Sequence, residues 1–412
     1  MKIAIISHYD NRGGAGKAAW RLFRQFGKDG HEVRMFVFHK TASDPNVREI
    51  RPFLWRIKHY MLTKLIHRIY KPRQMFSYLL VGNRPLVRAV NAFSPDIIHL
   101  HWLGKYVLGP GDFSRLKAPV CWSLHDLNAV TGGCHYSGSC TGFQSGCGNC
   151  PALGSESERD ISARQLKIKE KAYSGKQITF IGSSLWITEL AAKSTVGKLH
   201  KPVNLPTFAD LSVFRPAERP YTKKSKLQLI FSAASGTKEH RKGFDLLASA
   251  LTYLDPEEIA LKIVCDSLPP ELNESDFQIE QLQPTDDDDV LASYYQQADM
   301  AVVPSREENL SNVIMEALAC GLPVAAFRIG GNADLIIHQH NGYLAETMDA
   351  RALSGGIRWV ADNLEKGRLS ENARESMESR FSPEAVSKRY INLFSEILSG
   401  QSNGDGTLQH NK

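Results

Sequence analysis

At 412 residues the chain is long enough for about two domains with full cores, and its net charge of +6 is too modest to indicate a polyanionic partner by itself. No apolar run reaches membrane-spanning length, and the opening MKIAIISHYDNRGG has no signal-peptide cleavage pattern, so a cytoplasmic location is expected. MKIAIIS reads instead as a first buried strand.

The first half alternates strands with helices. KIAIIS is a strand, GAGKAAWRLFRQFGKDG a helix and HEVRMFVFH a second strand. DIIHLHW, PVCWSLHD and QITFIGSS are further apolar runs that end in polar tips. This pattern implies a parallel sheet, whose ligands collect at the carboxyl ends of its strands. Gly13, Gly14, His101, His125, Asp126 and Ser184 occupy those ends. GGAGKAAW is not a phosphate-binding P-loop, because Asn11 stands at the first glycine position and Ala18 follows Lys17. Gly14, Gly16 and Ala19 match G-x-G-x-x-A. However, HYDNRG separates them from the strand, and the second strand ends in His39 and Lys40, not in the acid that would hold an NAD ribose.

Arg51, Arg56, Lys58, Lys64, Arg68, Lys71, Arg73, Arg84 and Arg88 fall in a stretch without Asp or Glu, interleaved with Phe53, Trp55, Tyr60, Tyr70, Phe76 and Tyr78. Such a segment, if helical, suits either an anionic membrane leaflet or a solvated face whose aromatics turn into the core. No nucleic-acid motif accompanies the charge, and no nucleic-acid partner is expected.

Cys134, Cys140, Cys147 and Cys150 lie within GGCHYSGSCTGFQSGCGNCP. Four thiols this close in a cytoplasmic chain, two of them C-x2-C, point to a structural tetrathiolate zinc site, with His135 as a substitute ligand. Two disulfides and unbonded thiols are the rivals. The loop comes just after His125.

Around residue 206 a Pro-rich, charged stretch reads as an interdomain connection. A second strand and helix series follows, from LQLIFSAAS to NGYLAE. DDDD at 286–289 precedes the helical pattern VLASYYQQA, where acids are favoured without any metal. The tail QSNGDGTLQHNK is expected to be disordered.

Within this half, PSREENLSNVIMEALACGLPVAAFRIGG reads as strand end, loop, helix and strand. Ser311 or Asn312 caps the helix, Gly321 ends it and Pro323 blocks its continuation. A helix N-terminus at a parallel strand's carboxyl end suits a phosphate, and Glu308 and Glu316 can accept hydrogen bonds from a polyol. Phosphate and polyol together suggest a nucleotide sugar.

The E-x7-E spacing of Glu308 and Glu316, within PS…E…E-A-L-A-C-G-L-P-V…G-G, resembles the donor signature of retaining family-4 glycosyltransferases of GT-B fold. ENLSN and NAD-NGYL are most similar to bacterial transferases of the colanic-acid and O-antigen (exopolysaccharide) type. The resemblance implies an α/β fold of two Rossmann-like domains facing a central cleft. The acceptor-side domain is expected over 1–205 and the nucleotide-sugar domain over 206–382, with a crossover helix at 383–400 and the tail at 401–412.

The resemblance also implies the site. Backbone at Gly13 and Gly14 would approach the donor pyrophosphate, and Lys242 of K-G-x-x-x-L would clamp it. Ser311 and Asn312 would offer backbone to it, Glu316 would hold the ribose, and Glu308 the donor sugar. His125, the histidine of an HD pair, would face the reaction centre from the acceptor side. The pattern departs where the family's arginine is replaced by Gly236, with Lys238 or Arg241 as candidate substitutes. It departs again where P-N-G-x-D becomes Pro206, Thr207, Phe208, Ala209, Asp210.

The expected activity is hexosyl transfer with retention from a UDP- or GDP-sugar, without a catalytic metal. The acceptor would be an oligosaccharide or polyprenyl-diphosphate-linked glycan, and the enzyme would touch the inner membrane face peripherally. A sugar-nucleotide epimerase, a phosphorylase and a non-catalytic partner subunit are the alternatives.

Overall fold

The structure is a computed structural model that describes residues 1–78, 81–104, 107–217, 226–232, 239–268, 272, 276–364 and 368–400. Gly236, Lys238, the tail 401–412 and the side chains of residues 54–56, Trp55 and Arg56 among them, lie outside the described residues. The chain forms two compact units, one of residues 1–206 with the segment from Ser387 onward, the other of residues 207–386.

Unit 1 carries, among the described residues, a seven-stranded sheet in the order β3-β2-β1-β4-β5-β6-β7. Its strands are β1 (Lys2–Tyr9), β2 (Glu32–His39), β3 (Val47–Glu49), β4 (Ile97–Leu100), β5 (Val120–Leu124), β6 (Ile178–Gly182) and β7 (Val203–Asn204). All adjacent pairs are parallel, and in the centre Ile5 of β1 registers with Met35 of β2 and His99 of β4. Ile3, Ala4, Ile5 and Ile6 are completely buried, because helices cover both faces of a parallel sheet and leave no polar alternation along its central strand.

The closing helix, Pro383–Ser399, passes from unit 2 to unit 1 at Ser387. Its Ser387 hydroxyl donates to Asp29, and the fully buried Tyr390 hydroxyl donates to Leu205 O at 3.3 Å.

Unit 2 carries a six-stranded parallel sheet in the order β10-β9-β8-β11-β12-β13, again among the described residues. The strands are β8 (Leu227–Ser232), β9 (Ile259–Val264), β10 (Gln278–Leu282), β11 (Met300–Val303), β12 (Val324–Phe327) and β13 (Gly342–Ala345). The run of four aspartates starts a helix: Asp287 caps Asp288–Gln296 by accepting from Asp289 N and Val290 N, with Asp288 and Asp289 in the first turn. Gly321, at φ +77°, stands just past the helix Asn312–Ala319, and β12 begins three residues later.

Candidate active site

In unit 2 the strand order reverses between β8 and β11, which makes the carboxyl ends of these two strands the topological switch point of the sheet. Two loops meet there. The loop after β11 runs from Pro304 to Ser311, which caps the helix Asn312–Ala319 by accepting from Ile314 N at 3.4 Å. The loop after β8 ends in a short turn, His240–Lys242, closed by Gly243 at φ +70°. A Cβ on Gly243 would stand 1.8 Å from Pro304 O, so only glycine lets the two loops touch. Arg306 stitches them, its N–H donating to Arg241 O at 2.8 Å and its guanidinium to His240 O at 2.9 Å and Asp245 Oδ1 at 2.7 Å.

This contact delivers two cations to one carboxylate. Lys242 Nζ donates to Glu308 Oε2 at 3.0 Å, and Arg241 Nη1 donates to the same oxygen at 3.1 Å. Arg241 is itself aimed by Glu239 Oε1, 2.8 Å from its Nε, and by Glu307 O, 2.9 Å from Nη1. Burial pushes the Glu308 carboxyl up, but Lys242 and then Arg241 outweigh it and hold it below the usual carboxylate range. Behind Glu308, Gly331 N donates to its carbonyl at 3.2 Å, and Gly330 at φ +50° approaches so closely that a Cβ would lie 1.8 Å from that oxygen. Glu316 is 2% exposed within its helix, and the Tyr295 hydroxyl donates to its Oε2 at 3.4 Å.

Unit 1 holds the other expected residues. Gly13 and Gly14 are exposed at the start of the helix Gly13–Lys28, and no carboxylate occupies its first turn. β1 extends through Tyr9, so only residues 10–12 separate strand from helix, fewer than the expected HYDNRG. Asp10 ties this connection down. Its buried carboxylate accepts from Thr41 N at 2.6 Å, Thr41 Oγ1 at 2.7 Å and Ala42 N at 2.7 Å.

His125 directly follows β5, and its Nε2 lies 2.9 Å from Nδ1 of the buried His101. His99 lies beside them, its Nε2 2.8 Å from Ser123 Oγ. Burial lowers His125 to about 4 and His99 to about 3, and drives His101 well below the usual imidazole value. All three are therefore neutral near pH 7, and His101 and His125 share one hydrogen bond.

Asp126 starts a second chain of bonds. It accepts from Trp102 Nε1 at 2.8 Å and lies 2.6 Å from His135 Nδ1, while His135 Nε2 is 2.7 Å from Ser77 Oγ. Both nitrogens of His135 are thus engaged away from the cysteines, which corrects its expected role as a substitute metal ligand.

Cys134, Cys140, Cys147 and Cys150 line one small cavity with Phe76, Phe143 and Ser162. All seven cysteines are free thiols, so the two-disulfide alternative is not realised. Among the described residues no three His, Cys, Asp or Glu side chains are grouped so as to hold a metal ion. The zinc site expected from the spacing is therefore not supported. Within the loop Cys147 and Asn149 adopt positive φ, and the buried Lys169 ammonium donates to Thr131 O at 2.9 Å and to Asn128 O. Burial raises the Cys134 thiol to about 12 and Cys147 to about 11.

Sequence reasoning missed Tyr295, which lies on another helix 21 positions from Glu316 and is brought there by packing alone. It also missed Glu239, Arg306 and Asp245; the adjacent His240, Arg241 and Lys242 ahead of a glycine were the available signal.

A family model described as glycosyl transferases group 1 matches residues 228–363, and one described as glycosyltransferase family 4 matches residues 12–142. The chain is 30% identical over 117 residues to N-acetyl-alpha-D-glucosaminyl L-malate synthase of Bacillus anthracis, covering 28% of this chain and 31% of that protein. It is 35% identical over 96 residues to the lipopolysaccharide core biosynthesis glycosyltransferase LpsE of Rhizobium meliloti, covering 23% and 28%. These matches span about a third or less of the relatives' length. The crystal structure of Anabaena HepE in complex with UDP shares the fold with a TM-score of 0.62 at 17% identity, over 96% of this chain and all of that one. The group 1 match falls on the unit that pairs Lys242 with Glu308 and the family 4 match on the unit that carries His125, and with the two parallel-sheet units they identify the chain as a glycosyltransferase-family protein of GT-B fold.

Proposed function

We propose that the chain is a retaining glycosyltransferase that moves a hexose from a UDP- or GDP-sugar to a glycan acceptor. We assign the acceptor as polyprenyl-diphosphate-linked, in cell-surface polysaccharide synthesis of the colanic-acid or O-antigen type, at the inner face of the cytoplasmic membrane. The observation that carries the reading is the meeting of Lys242, Arg241 and Glu308 at the switch point of unit 2. Two cations beside one carboxylate answer the two needs of such a donor: charge for the departing diphosphate and an acceptor for the sugar's hydroxyls. The LpsE relative and the UDP complex of HepE support the substrate class.

In this reading Lys242 and Arg241 turn from Glu308 toward the diphosphate as the bond to the anomeric carbon breaks. The leaving phosphate oxygen takes the proton of the acceptor hydroxyl on the same face. Glu308 then orients the donor sugar, Glu316 the ribose, and backbone at Ser311 and Asn312 meets phosphate. Within unit 1, Gly13 and Gly14 offer backbone to phosphate, and neutral His125 accepts a hydrogen bond from a sugar hydroxyl. The chain's own cations supply the charge that a metal would otherwise bring.

The test is a screen of nucleotide sugars for UDP or GDP release, with and without a polyprenyl-diphosphate oligosaccharide. Acceptor-dependent release with retention of anomeric configuration is expected. Turnover without acceptor would indicate an epimerase, and a requirement for inorganic phosphate a phosphorylase. No turnover with any donor would leave the partner-subunit reading.

A further inference from the structure

Two adjacent strands of unit 1 bring three imidazoles together on one face of the sheet. Side chains alternate along a strand, so His99 and His101 share a side of β4, and Ser123 and His125 share a side of β5. The ladder pairs His99 with Cys121 and Leu100 with Trp122, which sets His101 a diagonal step from His125. The rings stack: centroids of His99 and His101 lie 4.3 Å apart, and those of His101 and His125 5.2 Å apart with planes 28° from parallel. Tyr390 and Phe394 of the closing helix pack on the His99 end, at 5.3 and 5.5 Å. At the other end His125 is only half-buried, whereas His99 and His101 are completely buried.

The hydrogen bonds of the stack are unequal. His99 is held by Ser123, and the backbone of His101 donates to Ile6 O of the central strand at 2.9 Å. His101 Nε2 is buried and has no hydrogen-bond partner among the described residues, so the only side-chain bond of this ring is the 2.9 Å one from Nδ1 to His125 Nε2. An unpaired buried polar atom costs free energy, and a phenylalanine would fill the same space without that cost. A histidine at 101 is therefore explained by what it does for His125, not by packing.

Proton counting says what that is. A neutral imidazole carries one proton, on Nδ1 or on Nε2, and burial keeps both rings neutral. Because the bond joins Nδ1 of His101 to Nε2 of His125, either both protons sit on Nε2 or both sit on Nδ1. The unpaired Nε2 of His101 is a burden on both arrangements. A free neutral imidazole favours the Nε2 form, so the first arrangement puts each ring in its preferred state. It also leaves a lone pair on Nδ1 of His125, the remaining polar atom of a partly exposed ring.

We propose that His101 is the positioning residue of His125: it accepts a hydrogen bond from His125 Nε2–H and so leaves the unprotonated Nδ1 of His125 to meet a sugar hydroxyl. The inference rests on the reading of His125 as the acceptor-side group.

The test is nitrogen NMR of the histidine-labelled full chain, beside turnover with the donor found by the nucleotide-sugar screen. The His125 signals are identified by their loss in His125→Asn. In wild type His125 should be protonated on Nε2. His101→Asn, whose side-chain oxygen can stand in for Nδ1, should keep that form, and His101→Phe, which keeps a buried ring, should let the proton exchange between the two nitrogens. His99→Phe disturbs the same stack without touching the bond, and His125 should keep its wild-type form there. Turnover should fall about tenfold in His101→Phe at unchanged nucleotide affinity, the scale of one hydrogen bond, and recover most of the way in His101→Asn. His125 protonated on Nδ1 in wild type, or an unchanged form in His101→Phe, would overturn the proposal. So would His101→Asn no better than His101→Phe. Wild-type turnover in His125→Asn would overturn the reading of His125 and the inference with it, whereas a fall there beside wild-type turnover in His101→Phe would overturn the inference alone.

Discussion

Lys242 Nζ and Glu308 Oε2 lie 3.0 Å apart, so the cation and the carboxylate assigned to opposite ends of a donor neutralise each other when no donor is present. The pair is nearly buried, and Arg241 completes it at 3.1 Å. A diphosphate that draws the cations away leaves Glu308 needing new donors, and sugar hydroxyls are such donors. In the proposed function the site would therefore couple phosphate binding to sugar binding through one carboxylate.

Removing Lys242 should affect turnover more than folding. Lys242→Ala is expected to lower kcat/KM about 10²–10³-fold, the usual cost of a charge-stabilising donor, and Glu308→Ala by a similar factor. Steady-state kinetics on purified variants decides it. Turnover within threefold of wild type in both would sink the assignment of the site.

Arg241 is expected to supply the second cation in place of the arginine that Gly236 replaces. Arg241→Gln should weaken donor binding about tenfold, the scale of one charge-assisted hydrogen bond. Arg241→Gln/Lys242→Ala should lose stability by more than the sum of the single variants, on the order of 1 kcal/mol, since only the double leaves Glu308 buried without a cation. Denaturant titration of the four forms tests the coupling, and strict additivity would show that the two cations act separately.

Gly243→Ala tests the touching loops. The substitution combines positive φ with a Cβ 1.8 Å from Pro304 O, so the loops must part. A loss of roughly 2 kcal/mol or more is expected, a fall of several degrees in Tm, together with weaker donor binding. Calorimetry and nucleotide titration that both match wild type would mean that the contact is dispensable.

Acid should destabilise unit 1 well above the carboxylate range. His125 and His99 have folded values of about 4 and about 3, below the ordinary 6.5, so the unfolded chain takes up protons first as pH falls. Stability is therefore intact above about 6.5 and declines below it, by about 1.4 kcal/mol per pH unit for each histidine, until the folded values are reached. In unit 2, Glu308 adds a later loss that begins as pH falls below the ordinary carboxylate value and is complete at its own depressed value. Urea midpoints should hold from pH 7.5 to about 6.5 and then fall down to pH 4.5 in wild type, and fall less in His125→Asn; a flat profile throughout would contradict the burial of neutral imidazoles.

The local parts of the donor turn were legible because caps and stops are short-range. Ser311, Gly321 and Pro323 sit where helix chemistry requires them, and apolar runs of strand length became β1, β2, β4, β5 and β6. Arg241 against Glu308 was not legible as a pair. Sixty-seven positions separate them, and only the order β8-β11 brings their loops together. The basic stretch was legible as a composition but not as a surface, since nothing local distinguishes Phe76 and Tyr78, which turn inward, from Phe53 and Tyr60, which do not. The cysteine spacing suggested a metal. No grouping of metal-ligating side chains among the described residues supports it, and the loop's buried hydrogen bonds are recorded by no spacing.

Those bonds make a final prediction possible at Asp126. Its carboxylate accepts from Trp102 Nε1, His135 Nδ1 and Asn128 N, and His135 passes the order on to Ser77 and, through Leu127 N to His135 O at 2.9 Å, to the start of the cysteine loop. Burial alone would raise Asp126, yet His135 and the other donors hold it below the usual range, so the ionised form is the one the fold uses. Asp126→Asn keeps the shape but turns one acceptor into a donor facing His135 Nδ1, which must then change tautomer and surrender its proton to the Ser77 side. Opening of the loop should become easier by about 1.4 kcal/mol or more, and maleimide labelling of the half-buried Cys134 thiol correspondingly about tenfold faster or more. Labelling at the wild-type rate in a folded Asp126→Asn protein would show that the loop is held by its packing and not by this chain of bonds.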